Sequence, residues 1–131
     1  MASLPYFAIA AALVLIYLPR FVVWREMSKL EGGYDNREPR AQQAQLAGLG
    51  RRALAAHHNG FEAFAPFAVA VLAAVQRGVK VELVGAIAIG FVVVRLGYVV
   101  AYLADRASLR STLWSLGMTA TATLLVLAIL G

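Results

Sequence analysis

Long apolar stretches, separated by shorter polar segments, dominate the chain and predict its helices. The apolar stretches cover Leu4–Trp24, Phe61–Val75, Leu83–Leu103 and Leu113–Leu130. A helix needs about 20 mainly apolar residues to cross a bilayer, so the second stretch is long enough only if it includes the preceding Ala53–Gly60. The pattern therefore predicts four transmembrane helices, at about 4–24, 53–76, 83–103 and 112–130, within one domain that covers residues 1–131.

The composition places the chain among membrane proteins. Of its 131 residues, 61% are hydrophobic, which is too large a share for an ordinary soluble domain. The four predicted helices account for most of the chain and leave no room for a second domain. The absence of cysteine excludes disulfides, thiolate metal sites and cysteine nucleophiles. We therefore expect an all-α fold, an integral-membrane four-helix bundle.

The basic residues are concentrated on one side of the predicted bundle. That side carries Arg20, Arg25, Lys29, Arg37, Arg40, Arg51, Arg52, Arg106 and Arg110, whereas the other side carries Arg77 and Lys80. Because basic residues mark the cytoplasmic side, we expect both termini outside and a cytoplasmic loop at about residues 25–39. The net charge of +5 does not indicate nucleic-acid binding, because the basic residues flank apolar helices and form no basic face with interleaved aromatic residues.

The segment after Pro39 predicts a second helix that begins in the cytoplasm and continues into the membrane. Proline suits the first turn of a helix, and Arg40–Ala56 is rich in residues that favour helix. Gly48, Gly50 and Gly60 should weaken this helix locally, and Pro66 should kink it.

Polar side chains inside the predicted transmembrane helices are the candidates for function, because placing them in lipid is costly. On the second helix, Arg52, Asn59 and Glu62 are spaced i, i+7 and i+10 and therefore share one face. His58 precedes Glu62 by four residues, so this spacing allows the two side chains to pair. The adjacent His57 and His58 point to different faces, which is a poor arrangement for binding a metal, and we expect no metal site.

The third and fourth helices add polar side chains at a similar depth. Arg95, Tyr98 and Tyr102 are spaced i, i+3 and i+7 and share one face of the third helix. Arg110 opens the fourth helix. A four-helix hairpin brings these groups to the cytoplasmic end of the bundle. Several arginines around the carboxylate of Glu62 suit a small, anionic, peptide-like ligand, because arginine binds carboxylates through two hydrogen bonds.

Purely structural roles are the alternative for the same residues. Glu62 and Arg95 would then neutralise each other as an ion pair between helices. Tyr98 and Tyr102 would anchor the membrane interface, and Arg110 would only set the topology. The convergence of all these groups at one end of the bundle favours the functional interpretation.

The segment His57–Phe67, with the sequence HHNGFEAFAPF, resembles the signature of the MAPEG family, the membrane-associated proteins in eicosanoid and glutathione metabolism. That pattern has Asn, then Glu three residues later, then Pro four residues further on, here Asn59, Glu62 and Pro66. On the third and fourth helices, the family pattern is matched by Arg95, Tyr98, Tyr102 and Arg110. The resemblance covers essentially the whole chain and is greatest to the short bacterial members.

The resemblance implies a homotrimer of left-handed four-helix bundles, with glutathione in clefts between subunits near the cytoplasmic face. Carried over by position, Asn59 and Glu62 would bind glutathione, Tyr98 and Tyr102 would line its site, and Arg110 would be the catalytic residue that stabilises the thiolate. A thiolate needs a nearby cation or hydrogen-bond donor to lower the pKa of the thiol. Arg95 and Arg52 complete the predicted glutathione-binding residues.

One position departs from the family pattern. Well-characterised glutathione-binding members have an Arg four residues before the Asn, where this chain has Ala55. Arg52 lies one turn earlier on nearly the same face and is a candidate substitute. His58, directly before Asn59, is another candidate donor.

The sequence therefore predicts a glutathione-dependent transferase or peroxidase of the bacterial inner membrane, with glutathione as co-substrate. Its second substrate would be a hydrophobic electrophile or a lipid hydroperoxide, and its partners would be its own copies and membrane lipids, with no nucleic acid. The alternative is a non-catalytic MAPEG-like protein that binds a lipid or a partner helix, which Ala55 favours. A third hypothesis, a small four-helix exporter, needs a membrane-embedded carboxylate that is typically in the first helix, where this chain has no acidic residue.

Overall fold

The computed structural model describes residues 3–131 of the chain. These residues form five α-helices joined by turns and loops, and they contain no β-strand. The helices are α1 (Leu4–Met27), α2 (Pro39–Ala44), α3 (Gly48–Gln76), α4 (Val81–Leu103) and α5 (Ala107–Leu130). Of these, α1, α3, α4 and α5 are each long and apolar enough to cross a bilayer. The predicted all-α architecture with four transmembrane helices is confirmed. Met1 and Ala2 of the predicted domain lie outside the described residues.

The segment after Pro39 forms two helices, so the prediction of one continuous helix is wrong. Helix α2 ends at Ala44, and α3 begins at Gly48. Between them, Ala47 is extended, with φ −123° and ψ 173°, and Gly48 has a φ of +50°. Glycine adopts this left-handed conformation without the steric cost that a side chain imposes, so the chain changes direction here before it enters the long helix.

The transmembrane helices pack through small side chains around a stacked aromatic pair. Helix α1 packs on α3 and α4, and α5 packs on the same two helices. The rings of Phe67 and Phe91 stack between α3 and α4 with centroids 3.8 Å apart and an interplanar angle of 4°. Buried Ala70 and Ala88 lie in the same cluster. Small residues let helices approach closely, and close packing is what holds helices together in lipid.

The contact between α1 and α3 is closest at Gly60. A Cβ atom added at Gly60 would lie 3.3 Å from the Cα of Ile16. One turn earlier on α3, Nδ1 of the buried His57 is hydrogen-bonded to the main-chain oxygen of Ile16 at 2.7 Å. These two contacts fix the rotation of α3 about its axis at the level of Asn59, which lies between them in the sequence.

Large apolar side chains cover much of the outer surface of the helices. Phe7, Phe21, Val69 and Ile129 are examples, each more than half exposed in the isolated subunit. An exposed apolar surface of this extent on four long helices is typical of a protein whose solvent is lipid. The chain is an integral multi-pass membrane protein.

Candidate functional site

A hydrogen-bonded chain of three polar side chains connects α4 to α3. Nη2 of Arg95 donates to Oδ1 of Asn59 at 3.0 Å and, at 3.4 Å, to the main-chain oxygen of the same residue. Nδ2 of Asn59 in turn donates to Oε2 of Glu62 at 2.9 Å. Guanidinium groups only donate and carboxylates only accept hydrogen bonds, so the two neighbours fix which end of the Asn59 amide faces each of them.

This arrangement differs from the direct ion pair that the structural alternative predicted. Within residues 3–131, the ion pairs at 4.0 Å or less are Arg25–Glu26, Lys29–Glu26 and Arg52–Asp105. Glu62 and Arg95 are therefore connected through the amide of Asn59 and are not in direct contact. The pairing of His58 with Glu62 that the helical spacing allows is not formed either.

Two tyrosine rings continue the site from Arg95 toward the start of α5. The Cζ atom of Arg95 lies 4.0 Å from the ring centroid of Tyr98. The rings of Tyr98 and Tyr102 meet edge to face with centroids 5.6 Å apart. The Cζ atom of Arg110 lies 4.5 Å from the centroid of Tyr102. Both cations lie within the range of a cation–π interaction, which holds each guanidinium over an aromatic face.

An open cleft of about 480 Å³ lies beside these groups, where α4, α5 and α3 meet. It is lined by Asn59, Tyr98, Tyr102, Arg110, Ser111, Trp114 and Ser115. Its volume lies in the range of small-molecule sites, and it combines aromatic faces with one cation and several hydroxyl and amide groups. The structure thus brings together Asn59, Tyr98, Tyr102 and Arg110 in one cleft.

Arg110 is the cation of this cleft. It is half-buried, and within the described part of the chain no carboxylate lies within 4.0 Å of its guanidinium. Its position over the ring of Tyr102 orients the group without neutralising its charge. The arrangement can therefore stabilise an anionic atom of a molecule in the cleft.

Arg52 is held in a contact outside the cleft. Its Nη1 lies 3.6 Å from Oδ2 of Asp105, in the turn between α4 and α5. Asp105 has a φ of +59°, a left-handed conformation, and its side chain is largely exposed. Nε of Arg52 is buried without a hydrogen-bond partner in the described structure. The structure therefore does not place Arg52 in the hydrogen-bonded chain of Asn59.

The two histidines lie on different sides of α3. His57 is buried against α1, with its ring 5.2 Å from that of Phe61 and 5.8 Å from that of Tyr17. His58 is exposed. Residues 3–131 contain no group of three His, Cys, Asp or Glu side chains that could hold a metal ion.

Three residues that line the cleft were not among the predicted site residues, namely Ser111, Trp114 and Ser115. Their spacing from Arg110 on α5 could have indicated all three. Trp114 follows Arg110 by four residues, and Ser115 follows Ser111 by four, so each lies one turn further along the same face of α5.

Comparison with known proteins assigns the chain to a family. The model of the MAPEG family matches residues 4–130, which include all four transmembrane helices and every residue of the cleft. No curated protein and no solved structure matches the chain. Because the family match covers nearly the whole sequence, the chain belongs to the MAPEG family.

Proposed function

We propose that this MAPEG protein is an integral-membrane glutathione-dependent transferase or peroxidase. The observation that carries the proposal is the guanidinium of Arg110, which faces a ligand-sized cleft and has no carboxylate partner among residues 3–131. A cation held in this way lowers the pKa of a bound thiol and so raises the fraction of reactive thiolate. Membership of a family associated with glutathione makes glutathione the thiol to test.

The remaining polar groups suit the peptide part of glutathione. The carboxylate of Glu62 does not line the cleft, but it is exposed and hydrogen-bonded through one oxygen to the cleft residue Asn59, which leaves its other oxygen available for an ammonium group. The amide of Asn59 keeps one Nδ2 hydrogen for a peptide carbonyl or carboxylate. Tyr98 and Tyr102 form the wall between Asn59 and Arg110. The site would thus bind the ammonium group, a carbonyl or carboxylate group, and the thiol of a short peptide.

The chemistry follows from the thiolate. In a transfer reaction, the sulfur attacks an electrophilic carbon, a C–S bond forms, and the leaving group departs with its electron pair. In a peroxidase reaction, the sulfur attacks a peroxide oxygen, the O–O bond breaks and an alcohol is released. A second glutathione then reduces the sulfenic acid, giving the disulfide and water. Because the helices lie in lipid, we propose a hydrophobic electrophile or a lipid hydroperoxide as second substrate.

The test is the thiolate absorbance that appears when glutathione is mixed with the detergent-purified protein. We expect a saturable signal that is lost in Arg110→Ala, and a turnover rate lower by on the order of a hundredfold with an electrophile. In Glu62→Ala, we expect weaker glutathione binding. Arg77→Ala is the control, because Arg77 hydrogen-bonds the main-chain oxygen of Ala128 at the other end of the bundle. Full activity in Arg110→Ala would refute the role proposed for that residue.

A second candidate function is supported by one observation. The position where glutathione-binding members have an arginine is Ala55 here, and Arg52, its candidate substitute, is paired with Asp105. A non-catalytic MAPEG protein that binds a lipid or a partner helix would fit this loss. It predicts a stable oligomer with no thiolate signal at millimolar glutathione, so a saturable signal in the test above would exclude it.

We also propose that residues 1–131 form one domain and that the protein is a homotrimer in a bacterial inner membrane, with both termini outside. The exposed carboxylate of Glu62 supports an assembly, because a charged side chain inside a transmembrane helix is costly when it faces lipid. Native mass spectrometry from detergent measures the assembly directly. A trimer mass is expected, and a monomer that retains full glutathione binding would contradict the proposal.

A further inference from the structure

We propose that Arg95 is a positioning residue that acts through Asn59 and does not itself contact the ligand. This inference rests on the proposed glutathione site. It assigns Arg95 a different role from the direct glutathione binding that the sequence predicted. The question it answers is how the amide of Asn59 comes to present a hydrogen-bond donor to the cleft.

Arg95 is almost fully buried and does not line the cleft. Only 6% of the residue is exposed, and it is absent from the residues that line the cleft. It lies instead beside a small internal space between α1, α3 and α4, together with Ile16, Ala56 and Gly60. A ligand in the cleft therefore meets Asn59 and Tyr98 before it could reach Arg95. Any influence of Arg95 on the ligand has to pass through the side chains that it contacts.

The hydrogen bonds on the two sides of the Asn59 amide have opposite directions. The guanidinium can only donate, so Asn59 must turn Oδ1 toward Arg95, and Nδ2 then faces the carboxylate of Glu62. Rotation of the amide by half a turn would place a donor against a donor and an acceptor against an acceptor. The remaining Nδ2 hydrogen is thereby fixed as a donor for the ligand, which selects an acceptor such as a peptide carbonyl or a carboxylate.

Arg95 contacts Asn59 at two oxygen atoms. Nη2 of Arg95 reaches both Oδ1 and the main-chain oxygen of Asn59, while the same guanidinium lies over the ring of Tyr98. A planar guanidinium can make these contacts together, whereas the ammonium group of lysine is a compact point charge on a flexible chain. Arg95→Lys therefore keeps the charge and should lose the fixed geometry.

The test that needs no ligand uses the side-chain amides of asparagine. The chain has two asparagines, Asn36 and Asn59, so selective ¹⁵N-asparagine labelling gives two side-chain amide groups in an NMR spectrum. The signals of Asn59 are identified by their loss in Asn59→Ala. In Arg95→Met and Arg95→Lys, we expect them to move toward the shifts of the exposed Asn36 amide. Unchanged Asn59 signals in both variants would overturn the inference.

The second test is a double-mutant cycle with glutathione as the probe. Loss of a hydrogen bond to a charged group predicts a dissociation constant higher by on the order of tenfold in Arg95→Met. A similar increase in the dissociation constant is expected in Asn59→Ala. The variant that carries both Arg95→Met and Asn59→Ala should bind glutathione no more weakly than Asn59→Ala alone. If the two increases in the dissociation constant multiplied in the double variant, Arg95 would act independently of Asn59. This result would refute the positioning role.

The two tests separate the failure of this inference from the failure of the proposed function. If the unaltered protein does not bind glutathione, the proposed function fails, and the NMR signals alone decide whether Arg95 orients Asn59. Arg77→Met is the matched control, because Arg77 also donates to a main-chain oxygen of another helix, at 3.1 Å from Ala128. It should leave both the Asn59 signals and glutathione binding unchanged. A change as large as that in Arg95→Met would show a general loss of helix packing and overturn the specific role.

Discussion

At the residue scale, the site contains two arginines that each lie over a tyrosine ring and yet differ in what they can do. Arg95 is buried and its charge is directed at an amide and, through it, at Glu62. Arg110 is half-buried at the cleft and has no acidic partner in the described structure. The difference in burial and partners, more than the residue type, separates a group that orients other side chains from one that can bind an anion.

The ring of Tyr102 gives a prediction about Arg110. In Tyr102→Phe, the aromatic face remains, so Arg110 should stay in place and the thiolate signal should be nearly unchanged. In Tyr102→Leu, the cation–π interaction is lost, and we expect glutathione to bind about two- to fivefold more weakly. Titration of the thiolate absorbance measures both variants. An equal loss of glutathione binding in Tyr102→Phe and Tyr102→Leu would instead assign the contribution to the hydroxyl group of Tyr102.

The spacing of residues along single helices predicted much of the candidate site. It did not predict the contacts between helices or between a helix and a loop. Asn59, Tyr98 and Tyr102 could be found because helical periodicity fixes which residues share a face, and Arg110 because it opens the fourth helix at the same end of the bundle. The contact of Arg52 could not be found, because it depends on the left-handed conformation of Asp105 in a turn. The insertion of Asn59 between Arg95 and Glu62 depends on the offset between α3 and α4, which residue spacing along a single helix does not reveal.

At the element scale, the position of α3 against α1 is what holds Asn59 at the cleft. Gly60 allows the backbone of the two helices to meet at Ile16, and the hydrogen bond from His57 to the main chain of Ile16 fastens the same point. The glycines of this segment predicted a locally weakened helix, but their spacing did not indicate that Gly48 and Gly60 have different structural roles. Gly48 begins α3 in a left-handed conformation, whereas Gly60 lies inside the unbroken α3 at its close approach to α1.

Gly60→Ala should therefore be destabilising although alanine favours helix. The added methyl group would lie 3.3 Å from the Cα of Ile16, a main-chain atom that can move only with α1. We expect the free energy of unfolding to fall by about 1–3 kcal/mol, the usual cost of overpacking, and glutathione to bind more weakly because Asn59 moves. Thermal unfolding in detergent measures the first effect.

Gly90→Ala is the matched control for this substitution. Gly90 is also inside a transmembrane helix, it is exposed, and an added Cβ atom would meet nothing within 4 Å. Its replacement should leave stability unchanged or raise it slightly, because alanine has the higher helix propensity. If Gly60→Ala were as stable as Gly90→Ala, the close approach of α1 and α3 would not be a structural requirement.

At the scale of the whole molecule, the cleft lies at one end of the bundle, and the proposed function requires that end to face the cytoplasm. The cleft is formed near the end of α4 and the start of α5, and the basic residues expected in the cytoplasm flank the same connection. Glutathione is the thiol of the cytosol, so an opening on that side gives the site its co-substrate. The distribution of basic residues and the proposed use of cytosolic glutathione both predict that this end of the bundle faces the cytoplasm.

The absence of native cysteine makes this orientation directly measurable. In intact cells, a maleimide that cannot cross the membrane should label Gln76→Cys, at the exposed end of α3 on the expected outer side. It should not label Asn36→Cys, in the loop before α2, until the cells are opened. The physical reason is the retention of basic loops on the cytoplasmic side. The reverse labelling pattern would place the cleft outside, away from cytosolic glutathione, and would contradict both the predicted topology and the proposed reaction.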